Sequence, residues 1–109
     1  MPSQVVAIQV FLKAKPGFEN KVRGAVLALI EPIRQKPNCL YYDFHQLRDD
    51  PTGFLSYEVW SSLQDFEEHL KSPFIMAMTE SATEFLAQPL QYSVMYSVAP
   101  TEGSSTVPL

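Results

Sequence analysis

The sequence predicts an α+β domain in the order βαββαβ, with its second helix broken in two. Three observations lead there. Four separate runs alternate side chains in the period of two that marks strands. Two stretches between them carry apolar residues at helical spacing, and the second stretch is interrupted at Ser72-Pro73. The second and third strand runs are joined by Asp49-Asp50-Pro51-Thr52-Gly53, a turn of the length that antiparallel hairpins use.

The first strand runs from Gln4 to Lys13, where Ile8, Val10 and Leu12 alternate with Gln9, Phe11 and Lys13. Lys15-Pro16-Gly17 breaks it. A helix follows from about Phe18, with Val22, Ala25, Val26, Leu29 and Ile33 forming one apolar stripe. Pro32 is expected to kink or end its last turn. Pro37-Asn38 terminates it, with Asn38 a candidate for positive φ. The second strand covers Cys39 to Arg48, with Leu40, Tyr42 and Phe44 on one side and Tyr41, Asp43 and His45 on the other. The third covers Phe54 to Trp60. Ser61 or Ser62 can cap the next helix, with Gln64 or Asp65 three residues on. That helix stops at Pro73, which can itself start a new helix as its first residue. Phe74 to Ala87 then reads as helical, and Gln88-Pro89 ends it. Leu90 to Val98 is the fourth strand, with Tyr92, Val94, Tyr96 and Val98 on one face. The domain is expected over residues 1–98, followed by a flexible polar tail over 99–109. Such an order is the ferredoxin-like split βαβ arrangement, with helices on one face of an antiparallel sheet.

One face of that sheet then needs a cover. In the third strand Phe54, Ser56, Glu58 and Trp60 share one face and Leu55, Tyr57 and Val59 the other, so both carry large aromatics. An exposed apolar face of this size is a liability. A homodimer with the two sheets packed face to face removes it.

Composition narrows the function classes. The 109 residues fit a single domain, and seven Phe, five Tyr and one Trp suit a lined pocket or a buried subunit interface. A net charge of −4 with scattered Lys and Arg disfavours nucleic acid as a partner. No apolar run reaches the roughly 20 residues of a membrane helix, so no membrane partner is expected. The opening MPSQVVAIQV has no basic stretch followed by a cleavage site and reads as strand rather than signal peptide. The single Cys39 rules out an internal disulfide, fits a cytoplasmic location, and reads as strand filling rather than as a nucleophile. Four glycines leave no phosphate-binding fingerprint, and His45 and His69 lack a third ligand, so neither cofactor nor metal is expected.

The candidate chemistry concentrates between Ser56 and Phe74. His69 lies about 90° from the centre of the stripe formed by Leu63, Phe66 and Leu70, at the edge of the buried side. Its ordinary pKa suits proton transfer near neutrality. Glu58, if buried, must be paired or protonated, and could orient His69 or accept a substrate proton. His69 and Glu58 are therefore the catalytic candidates. Trp60 offers a wall for stacking a planar molecule, or else packs as part of the core. Tyr42, Tyr57, Tyr92 and Tyr96 are possible hydrogen-bond donors, of which Tyr42 is favoured. Phe74 and Met78, at i and i+4, would add apolar lining. Trp60, Tyr42, Phe74 and Met78 are thus the substrate-binding candidates.

Several motifs in order carry a family resemblance. They are Lys15-Pro16-Gly17 before the first helix, Pro37-Asn38-Cys39-Leu40-Tyr41-Tyr42-Asp43 at the second strand, and Asp49-Asp50-Pro51 in the hairpin. Tyr57-Glu58-Val59-Trp60 follows, and then His69-Leu70-Lys71-Ser72-Pro73-Phe74. Over roughly residues 5–98 the chain resembles the antibiotic biosynthesis monooxygenase family of the dimeric α+β barrel superfamily. The resemblance implies a ferredoxin-like protomer, a dimer whose sheets form a barrel, and a pocket between sheet and helices. It also implies a cofactor-independent monooxygenase acting on a small quinol or an aromatic, polyketide-like molecule. Related activities are isomerisation or breakdown of a small carbonyl compound, or plain ligand binding. Many members have a second His where this chain has Phe74. The haem-degrading subgroup has Asn and His at positions matching Val10 and Thr79, so haem degradation is not expected.

Overall fold

The computed structural model of the chain describes residues 4–98; the expected tail at 99–109 lies outside them. The elements are β1 (Val6–Lys13), α1 (Glu19–Arg34), β2 (Cys39–Gln46), β3 (Gly53–Trp60), α2 (Leu63–Leu70), α3 (Pro73–Ala82) and β4 (Gln91–Met95). This is the expected βαββαβ order with a split second helix. The strands form one sheet in the order β2-β3-β1-β4, every neighbour antiparallel.

Register decides what faces the helices. Tyr42, Glu58, Ile8 and Val94 lie in one row across the sheet, and Phe44, Ser56, Val10 and Tyr92 in the next. Alternation puts both rows on the same face. Val6, Ile8, Tyr42 and Trp60 pack there against Leu29 and Ile33 of α1, Phe66 of α2 and Ile75 of α3. A second cluster joins Ala14 and Phe54 to Val22, Val26, Ala82 and Leu86. The opposite face carries Phe11, Tyr41, Leu55 and Tyr57, all half-buried, with Tyr41 edge-on to Tyr57 at 6.0 Å.

Local departures from the sequence reading have local causes. Gly17 takes φ +89° and closes the turn before α1, but Asn38 does not adopt positive φ. Helix α1 runs through Pro32 to Arg34. A bulge between Cys39 and Tyr41 breaks the alternation of β2, so Leu40 is exposed while Tyr42 is buried. Helix α3 ends at Ala82 rather than Ala87. The backbone beyond it finds other partners, with Lys15 donating to the Phe85 carbonyl at 2.9 Å and Ala87 donating to Lys13 at 2.7 Å. Those bonds extend the edge of β1 and hold Leu86 in the core. The fourth strand is shorter than expected, ending at Met95.

Candidate functional site

A cavity of about 100 Å³ lies between the sheet and the helices, along the seam where the two core clusters meet. Its walls are largely apolar: Val10 and Leu12 from β1, Val26 and Leu29 from α1, and Ile75 and Met78 from α3. The buried polar side chains among its lining are Glu58, His69 and Tyr42.

Glu58 is 3% exposed and sits in the middle of the sheet. Its Oε1 accepts from Trp60 Nε1 at 2.9 Å and its Oε2 accepts from Ser56 Oγ at 2.9 Å. Ser56 Oγ in turn accepts from the Val10 backbone N–H at 3.1 Å. The alternation of β3 makes this possible, because residues 56, 58 and 60 stand side by side on one face. Burial raises the Glu58 pKa above the ordinary carboxylate range, against the opposing pull of the bonds from Trp60 and Ser56. The result is a carboxylate more basic than usual, with lone pairs left over.

His69 reaches the same cavity from α2. Ser62 begins that helix, its Oγ accepting from Asp65 N at 3.1 Å. The imidazole is buried and stacks on Trp60 with centroids 4.5 Å apart and planes 32° apart. Lys36 Nζ donates to His69 Nδ1 at 2.8 Å. An ammonium has donors and no acceptor, so Nδ1 accepts and the ring proton sits on Nε2. Burial first, and the Lys36 charge second, hold the His69 pKa down to about 4. At neutral pH the ring is an uncharged donor rather than a base. Burial, reinforced by Glu58, pushes the Tyr42 phenol far above its ordinary value, so it too stays protonated. Cys39 is pushed up to about 11, again mainly by burial, and is no thiolate nucleophile at neutral pH.

Of the residues picked from sequence, Glu58, His69, Tyr42 and Met78 come together around the cavity. Trp60 does not line it. The indole is 1% exposed and lies behind the site, holding Glu58 by its N–H and His69 by its ring face. Phe74 is 47% exposed and also stands outside the lining. Helix α3 turns Ile75, Met78, Thr79 and Ala82 inward, a stripe at i, i+3, i+4 and i+7, so Phe74 falls past its edge. The i, i+4 pairing of Phe74 with Met78 had suggested otherwise. No hydrogen bond joins Glu58 to His69, so the first of the two roles open to Glu58, orienting the imidazole, has no bond behind it; Lys36 holds the ring instead. Ser56 and Lys36 were not singled out from sequence. Ser56 carries a signal, the Ser-x-Glu-x-Trp spacing that places three polar tips on one strand face. Lys36 carries none, being 33 residues from its partner. Among the described residues no three His, Cys, Asp or Glu side chains converge to hold a metal ion. No helix among them is long and apolar enough to cross a membrane.

Residues 5–87 match the family described as antibiotic biosynthesis monooxygenase. The protein sll1783 of Synechocystis is 28% identical over 91 residues, covering 84% of this chain and 61% of that relative. The chain therefore spans about three fifths of the length of that curated relative. Among solved structures, PA3566 from Pseudomonas aeruginosa is 24% identical with a TM-score of 0.83, over 91% of this chain and 99% of its own. A provisionally named antibiotic biosynthesis monooxygenase from Nitrosomonas europaea is 20% identical with a TM-score of 0.82, over 94% and 98%. At these identities the two structures show a shared fold.

Proposed function

The chain belongs to the antibiotic biosynthesis monooxygenase family, and from this premise we propose that it oxidises a single-ring quinol with dioxygen, without a bound cofactor. The observation that carries the reading is a buried carboxylate, made more basic by burial, opening on an apolar cavity. A volume of about 100 Å³ compares with the roughly 150 Å³ of an apolar cavity that holds benzene. One ring fits with small side-chain adjustments; a fused polycycle does not.

In this mechanism the ring lies between α3 and the sheet. Glu58 takes the proton of a quinol hydroxyl. His69 Nε2–H and the Tyr42 phenol donate to the oxygen that becomes negative, in a dry site where such bonds are strong. The quinolate is electron-rich enough to reduce dioxygen directly. A ring carbon bonds one oxygen atom, and the second leaves as water after Glu58 returns its proton. For hydroquinone the balance is quinol plus O₂ giving hydroxyquinone plus water. Trp60 and Ser56 hold the carboxylate, and Lys36 holds the His69 tautomer. The protein would work as a cytoplasmic homodimer, with the Phe11, Leu55 and Tyr57 face covered by a second copy.

Oxygen uptake by the purified protein, with hydroquinone and no added cofactor, tests the reading. One O₂ consumed per hydroxyquinone formed is expected. No uptake with hydroquinone, together with turnover of a small enolisable carbonyl compound that is equal in aerobic and anaerobic buffer, would instead identify an isomerase or lyase working through the same base.

A further inference from the structure

Two side chains mark where the cavity opens. Among the described residues that line it, only Thr79 and Tyr92 are exposed, so the mouth lies between α3 and β4. Outside it runs a groove of about 470 Å³, between the end of α3 and the segment leading into β4. Thr79, Ala82, Leu86 and Leu90 line both spaces, and Ala87 and Pro89 extend the groove outward. The inner space is small and has the buried polar side chains Glu58, His69 and Tyr42 in its lining. The outer one is several times larger, and among the described residues no charged side chain lines it.

We propose that the substrate is bipartite: a phenolic ring in the inner cavity and an uncharged apolar tail that passes Thr79 into the groove. The ring alone has few atoms with which to bind, and its hydroxyl is the group to be reacted upon. A tail in the groove supplies binding that does not change during the reaction and fixes which ring carbon faces the apolar wall. Most of the groove wall is apolar, with Thr79, Thr83 and Gln88 as its polar members. Among the described residues no basic side chain lies there to hold an anion, so an uncharged, mainly hydrocarbon tail is the chemistry that fits. The inference rests on the ring site proposed above.

Calorimetric titration with unreactive 4-alkylphenols bearing one to eight carbons, all below their aggregation limit, tests it. Kd is expected to fall about fourfold per added methylene until the groove is filled. Ala87→Trp, which places an indole in the groove, should collapse the ratio of octyl to methyl affinity at least tenfold. Thr83→Trp blocks the same groove from α3's end and serves if the first variant does not fold. A methyl homologue that binds with no gain on lengthening overturns the tail and leaves the ring site standing. A chain-length gain that survives both Trp variants also overturns it. No binding by any homologue sinks the ring site and the tail together.

Discussion

Burial gives Glu58 and His69 opposite roles. Both are nearly inaccessible to water, and burial shifts each toward its uncharged form, raising the Glu58 pKa and lowering that of His69. For the carboxylate this means a stronger base; for the imidazole it means a neutral donor. Two titratable groups whose environments act in this way divide acid and base duties between them. Lys36→Met should raise the His69 pKa from its value of about 4 toward the ordinary one and release the Nε2–H tautomer. Nitrogen NMR of the imidazole across pH reads both effects, and an unmoved titration would refute the Lys36 role. The sign for stability follows. A His held below its unfolded pKa stabilises the fold above pH 6.5, and that contribution is lost as pH falls through about 4. Glu58 and His69 were legible in the sequence by residue type, with His69 at the edge of the buried side of its helix and the inward face of β3 left open. Their division of labour was not legible there, since it comes chiefly from burial, with Lys36 assisting at His69, and both are set only by the fold.

At the scale of elements, two pieces of local order set the site. Strand β3 delivers Ser56, Glu58 and Trp60 by alternation alone, which made its two faces readable from the sequence. Helix α2 delivers His69, and its Ser62 cap was one of two serines that spacing allowed. Ser62→Ala should cost about 1 kcal/mol, a drop of about 4 to 8 °C in Tm for a domain of this size. Thermal unfolding followed by circular dichroism checks it, with Ser61→Ala as the comparison. An equal loss in both would deny Ser62 its special place. The bulge at Leu40 and the early end of α3 were illegible for one reason. Each depends on hydrogen bonds to a distant strand, and propensity cannot see them. The inward stripe of α3 is the part that mattered most, because it decided between Phe74 and Thr79 as neighbours of the cavity.

At the scale of the whole molecule, the helices protect one sheet face and leave Phe11, Tyr41, Leu55 and Tyr57 half-buried on the other. In the proposed dimer a second copy covers them. Sedimentation should give twice the chain mass for the native protein. Tyr57→Arg, which puts a charge at the centre of that face, should give single chains; a monomeric native protein would contradict the arrangement. The sequence pattern already called for such a cover, although it could not say which face the helices would take. The central claim is that Glu58 is the base of a cofactor-free oxidation. Its most direct test is the rate of oxygen uptake by Glu58→Gln under saturating hydroquinone. Glutamine keeps the shape and can still accept from Trp60 Nε1, while the Ser56 hydroxyl can turn to accept from its amide. A loss of about 10² to 10⁴ in kcat with an unchanged circular dichroism spectrum is the predicted result. A folded variant that retains the native rate within a few fold would contradict the account.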